Sequence, residues 1–273
     1  MGRAAGVVVP LRDAAPATRG HPRVLPAGLP AKLYTVSPIP EPDLEEAPAV
    51  HGGMPPLPGR PARVLVPLGL LFLLLSWQVA VRGPLVRVDE RLGRALVRPS
   101  RVSELLADLG SATIAVPLLV IVLTWVAQRG RDAGAQRWWL PPAAAAGLTA
   151  VYPVLILALK TLFARPGPPP MGPVTGFYPS GHTATAMIAY GAAALVLSPW
   201  LHTPQARLQL LAVWLTLNAG VAFGLVRSGY HWPLDVLGSW ILCAMLLYSL
   251  WLCLSRSSRR TSAGTPSSRT GPS

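Results

Sequence analysis

Six apolar runs, each about as long as a helix needs to cross a bilayer, constrain this chain more than any other feature. They occupy residues 64–81, 112–127, 140–159, 182–197, 208–226 and 233–254. Backbone inside hydrocarbon must satisfy its own N–H and C=O groups, so runs like these fold as helices. The expected fold is therefore all-α, a bundle of six transmembrane helices spanning residues 62–254. With 51% apolar and only 13% charged residues, a soluble globule is excluded.

The ends read differently. Residues 1–61 scatter prolines from Pro10 to Pro61 around an acidic patch of Glu41, Asp43, Glu45 and Glu46. No apolar period persists there, and such a segment buries too little surface to offset its ordering entropy, so it is expected to be a disordered tail. It lacks the charged-then-apolar layout of a signal peptide. Met54, just ahead of the first run, is a second candidate start. Residues 255–273, rich in Ser, Arg and Gly, form the second expected disordered tail. Cys243 and Cys253 lie ten residues apart in one run. That is about 15 Å along a helix, too far to pair, and no disulfide framework is implied.

Between the first two runs, residues 86–110 place Leu92, Leu96, Leu105, Leu106 and Leu109 at near-helical spacing, with a break at Pro99. Two readings stay open. The segment is an amphipathic helix in the headgroup layer, or a solvated connecting helix. The net charge of +13 comes almost entirely from Arg, with Lys only at 32 and 160. In so hydrophobic a chain that excess marks attraction to anionic lipid headgroups and phosphate, not a nucleic-acid footprint.

Nearly every polar residue of the last four runs is gathered into three short clusters: Lys160 to Pro166, Tyr178 to His182, and Arg227 to Asp235. Counting alternate loops puts all three on one membrane face. Lys160 closes the third run, His182 opens the fourth, and Arg227 to His231 joins the fifth to the sixth. Taken singly, each has an ordinary explanation: a snorkelling Lys at a helix end, an interfacial His, a Ser-Gly helix cap, a chance His-x3-Asp pair. Together, in this order and on one face, they describe a composite site. Trp232, Trp240 and Trp251 read as interface or packing residues, and Asn218 as a bond to a neighbouring helix.

After Asp132 the only carboxylate in the chain is Asp235. Sites for magnesium, calcium or paired metals are built on several carboxylates, which argues against metal-assisted hydrolysis. Two imidazoles, one carboxylate and fixed cations instead suit phosphoryl transfer through a phosphohistidine. One imidazole attacks phosphorus, Asp holds its tautomer, the other protonates the leaving oxygen, and Lys and Arg balance charge on the remaining oxygens. Pro179-Ser180-Gly181-His182 precedes an apolar run, with Ser180 as N-cap and open amides behind it for phosphate oxygens. Pro233 fits a first helical position, which leaves His231 in the loop with Asp235 able to reach back to it.

This layout resembles the type 2 phosphatidic acid phosphatase superfamily, the lipid phosphate phosphatases, whose signatures are K-x6-R-P, P-S-G-H and S-R-x5-H-x3-D. The resemblance covers about residues 64–254. It implies that His231 is the nucleophile, Asp235 its orienter and His182 the general acid, with Lys160, Ser180 and Gly181 binding phosphate. Two positions depart from the pattern. Gly167 stands where the first signature has Arg, and Leu225 where the third has it. Arg165 and Arg227, each two residues away, are taken as their substitutes for phosphate binding.

The function expected is a metal-independent phosphatase acting on a lipid phosphate or lipid diphosphate, with no cofactor and no nucleic-acid partner. The rivals are a lipid phosphotransferase on the same fold and a catalytically weak lipid-binding or transport protein, the latter motivated by the displaced arginines. Lys and Arg split evenly between the two faces. Setting aside Lys160, Arg165 and Arg227 leaves the excess beside the termini, which places them in the cytoplasm, while the resemblance implies an extracytoplasmic active face.

Overall fold

The computed structural model describes residues 61–262, so the expected 1–61 tail and the Met54 start fall, Pro61 apart, outside it. Among the described residues the chain folds as α1 (Ala62–Ala80), α2 (Pro84–Leu96), α3 (Arg101–Asp108), α4 (Ala112–Asp132), α5 (Leu140–Phe163), α6 (Gly181–Leu197), α7 (Pro204–Arg227) and α8 (Pro233–Ser262). Six of these, all but α2 and α3, are long and apolar enough to cross a membrane. No strand occurs among the described residues; an isolated bridge pairs Pro166 with Thr175.

The helices outlast their apolar runs at several ends. α8 continues to Ser262 and α4 to Asp132, because hydropathy marks where apolar side chains stop, not where backbone hydrogen bonding stops. Arg129 and Arg131 sit in the last turn of α4, where positive charge suits the helix dipole. Part of the expected C-terminal tail is thus helical, and its remainder lies outside the described residues.

α6 is the axis of the bundle and packs on α4, α5, α7 and α8. Its sequence, GHTATAMIAYGAAALVL, is rich in Gly, Ala and Thr. Without a strong hydrophobic drive between helices in lipid, close backbone approach and hydrogen bonds hold a bundle together, and small residues permit both. The core joins Ala184, Ile188 and Ala192 of α6 to Leu119 of α4, Ile156 of α5 and Leu242, Cys243 and Leu247 of α8. Asn218 corrects its expectation: its amide nitrogen donates to the Trp214 carbonyl of its own helix, 2.8 Å away.

α2 and α3 lie across the end where α7 finishes and α8 begins. The Arg98 N–H donates to the Arg227 carbonyl (2.9 Å), and Ser228 donates to Ser103 Oγ (2.9 Å). Ser100 and Ser103 cap the start of α3 reciprocally. The loop from Arg165 to Pro179 is pinned from below by Tyr178. That ring is fully buried between Phe72 and Phe163, with its hydroxyl 3.0 Å from Ser76 Oγ. Gly238 on α8 makes room for it: a Cβ there would stand 2.5 Å from the Tyr178 ring.

Candidate active site

His231 sits in the short link between α7 and α8, one residue from Trp232 and two from the first residue of α8. Its Nδ1 lies 3.2 Å from Asp235 Oδ2. Asp235, in the first turn of α8 and fully buried, accepts at the same oxygen from the Trp232 N–H, 3.1 Å away. This is the reach-back that a first-turn acid makes at a helix start. With Nδ1 committed to the carboxylate, Nε2 is the ring nitrogen left to face a substrate.

The start of α6 is stapled to the same turn. The Ser180 N–H donates to the Asp235 carbonyl (3.0 Å), and Ser239 Oγ donates to the Ser180 carbonyl (2.8 Å). Ser180 caps α6: its hydroxyl accepts from the Thr183 N–H and hydroxyl at 3.3 and 3.0 Å and is wholly buried. That hydroxyl is therefore occupied as a cap, and the groups facing outward are the Gly181 and His182 amides, which have no partner within the helix. From α5, Tyr152 donates to Thr185, and Thr185 to the Gly181 carbonyl, which fixes this end of α6 further.

His182 is exposed in the first turn of α6, near enough to His231, Lys160 and Asp108 for their charges to act on it. Lys160, half-buried near the end of α5, donates to the Gly176 carbonyl at 2.8 Å, and its Cε comes within 3.8 Å of where a Gly181 Cβ would stand. The three sequence clusters thus meet at one end of the bundle.

The two arginines part company. Arg165, almost completely buried, places Nη1 2.6 Å from Asp235 Oδ1 and Nη2 2.5 Å from Asp89 Oδ2. Asp89 belongs to α2 and also accepts from the Leu234 N–H at 2.8 Å. Burial works against the guanidinium charge, but Asp235 and Asp89 outweigh it and hold Arg165 above its ordinary value. Burial pushes the Asp89 carboxyl up, against the pull of Arg165 and the Leu234 amide. Arg165 is expected as a phosphate ligand, but both its terminal nitrogens are engaged by carboxylates. In this structure it is a clamp on Asp235.

Arg227 lies over its own helix neighbour Phe223, with the guanidinium carbon 5.9 Å from the ring centroid. It lines an apolar groove of about 310 Å³ between α2, α7 and α8, together with Pro233, Val236, Leu237 and Trp240. Of those, Pro233 and Leu237 lie about 160° round α8 from Asp235. The structure therefore does not bring Arg227 to the Asp235 cluster.

The sequence positions left vacant have physical reasons. A Cβ at Gly167 would run into the Phe177 ring, which itself packs edge-on against His231 with centroids 5.5 Å apart. Leu225 is buried with Ala107, Ala186 and Val221 in an apolar cluster. Among the described residues no three His, Cys, Asp or Glu side chains gather as a metal site.

Sequence reasoning missed Asp89 and Asp108. Asp89 carried one usable signal: Val86, Asp89 and Gly93, spaced as one face of a helix, are the three buried residues of α2. A lone acid on a stripe that is otherwise small and apolar is a candidate for an internal partner.

The sequence model of the PAP2 superfamily matches residues 109–259. The chain is also similar to the crystal structure of a transmembrane PAP2-type phosphatidylglycerolphosphate phosphatase from Bacillus subtilis, at 24% identity and a TM-score of 0.59. That likeness covers 71% of this chain and 96% of the other, and it speaks to the fold. No curated protein matches the chain.

Proposed function

This chain belongs to the PAP2 superfamily, and from that premise we propose that it is a multi-pass membrane phosphatase releasing phosphate from a lipid phosphate or lipid diphosphate. The observation that carries the reading is the His231 Nδ1–Asp235 pair, 3.2 Å apart, set beside the α6 start that bears His182. Nε2 of His231 attacks phosphorus, forming the N–P bond as the P–O bond to the lipid breaks. His182 gives its proton to the departing oxygen. Water then attacks the phosphohistidine, returns a proton to His182, and frees inorganic phosphate together with His231.

Lys160 and the Gly181 and His182 amides face the negative oxygens of the transferring group, where preorganised donors act most strongly. Asp235 keeps the proton on Nδ1 and stabilises the charged ring, and Arg165 holds Asp235 in place. The lipid tail stays in the bilayer while the headgroup enters at the bundle's end. The termini are cytoplasmic in this reading and the site extracytoplasmic. The domain comprises residues 62–254, flanked by tails, and it works without a metal or organic cofactor.

The test is a panel of polyprenyl diphosphate, phosphatidic acid and phosphatidylglycerol phosphate, assayed for phosphate release by purified protein with and without alcohol acceptors. Release to water, abolished in His231→Ala, blocked by vanadate and unaffected by EDTA, supports the reading. Transfer to the alcohol alone would make the protein a phosphotransferase. Loss of activity on chelation, restored by magnesium, would overturn the metal-free mechanism.

A further inference from the structure

The surface of α2 is divided into three stripes. At about 100° per residue, Val86, Asp89 and Gly93 fall on one side and are buried against the bundle. Leu85, Val88, Leu92 and Leu96 fall together on a second side and are exposed. Arg87, Arg91 and Arg94 share a third, also exposed and nearly opposite the leucines. Among the described residues Arg87 and Arg91 have no ion pair, and Arg94 has only a loose exposed one, 3.7 Å to Glu90.

An exposed apolar stripe nearly opposite an unpaired basic one has no stable place in water. It has one at a membrane surface, with the leucines among acyl chains and the arginines among phosphates. The position fits as well. α2 begins four residues after α1 ends and touches α7 and α8 where Arg227 and His231 lie, so it rests at the level of the headgroups.

We propose that α2 docks on anionic phospholipid headgroups through Arg87, Arg91 and Arg94, with Leu85, Val88 and Leu92 seated in the bilayer. The docked helix presents Asp89 to Arg165, and through Arg165 the lipid composition bears on Asp235. This last step rests on the phosphatase reading, whereas the docking does not. Docking decides between the two readings that the sequence left open for residues 86–110, in favour of the headgroup layer.

The experiment uses the full chain with Cys253→Ser, since Cys253 is exposed and Cys243 buried. Spin labels are placed at Val88→Cys and, separately, at Arg91→Cys. The labelled protein is reconstituted in vesicles of phosphatidylcholine alone and of phosphatidylcholine with phosphatidylglycerol. Docking predicts that the residue 88 label is relaxed by oxygen dissolved in the bilayer and the residue 91 label by a water-soluble nickel complex. Equal access of nickel to both overturns the proposal, whatever the enzyme does.

The second arm is the triple variant Arg87→Gln, Arg91→Gln, Arg94→Gln. Each arginine contributes on the order of fivefold to attraction by an anionic surface. Phosphatidylglycerol should stimulate phosphate release by the wild type, whose indifference to it would overturn the coupling. The variant should lose that stimulation while its rate in phosphatidylcholine alone stays unchanged. Full stimulation in the triple variant overturns the coupling to the site. Failure of the phosphatase reading itself would show as no release in any vesicle, with the label pattern intact.

Discussion

The loop after α5 and the last turn of α7 each carry an arginine two residues from where the superfamily's signatures have one, and the two regions treat it in opposite ways. Arg165 is buried between two carboxylates contributed by α2 and α8. Arg227 rests on an aromatic ring beside an apolar groove, with no ion pair among the described residues. Equal displacement along the chain does not mean equal function. What decides is the counter-charge that the fold delivers to the spot: Asp89 and Asp235 in one case, none in the other.

The largest effect expected from this contrast is that of Arg165→Ala. It leaves two buried carboxylates without their cation, and removing one partner from such a pair costs about 3–5 kcal/mol. Unfolding in detergent should show that loss, and phosphate release should fall by about a thousandfold or more, near 4 kcal/mol of barrier. Activity within tenfold of the wild type would end the distinction between the two arginines.

Moving the other arginine to the signature position, with Leu225→Arg and Arg227→Leu together, should come next. The new guanidinium enters the buried apolar cluster of Ala107, Ala186 and Val221. A loss of about 3 kcal/mol is expected, with no gain in turnover. An increase in turnover would show that position 225 does open onto the phosphate.

Asp89→Asn keeps the shape and removes one charge, so Arg165 turns wholly to Asp235. A drop in kcat of about tenfold, roughly 1.4 kcal/mol, with little change in KM, is the expected signature of a positioning residue. The smallest effect belongs to Arg227→Gln, which gives up a ring contact of about 0.5–1 kcal/mol. Its phosphate release should stay within about threefold. A loss as deep as that of Arg165→Ala would break the comparison from the other side.

Much of this was legible in the chain. All six spans lie where the apolar runs are, since lipid admits few alternatives for such segments. Pro233 starts α8, His231 stays in the loop, and Asp235 reaches back to it, all of which follow from local rules about helix starts. The partnership of Arg165 was not legible, because Asp89 is 76 residues away and sits in the run Asp89-Glu90-Arg91, which reads as ordinary surface charge. The family match begins only at residue 109, after α2, and the three signatures begin only at Lys160, so neither reaches Asp89. Ser180 shows a subtler limit. Sequence identifies it both as a cap and as a phosphate ligand, and the buried bonds from Thr183 show the cap.

Ser239 donates one hydroxyl proton toward two carbonyls, those of Ser180 and Asp235, which belong to different helices. With the Ser180 N–H closing the loop, the helix carrying the proposed acid and the turn carrying the proposed nucleophile move as a single body. Adaptation to a bulkier or slimmer lipid cannot then come from shifting one half against the other. It has to come from the rim supplied by α1, α2 and α5, which leaves the two imidazoles on one shared frame.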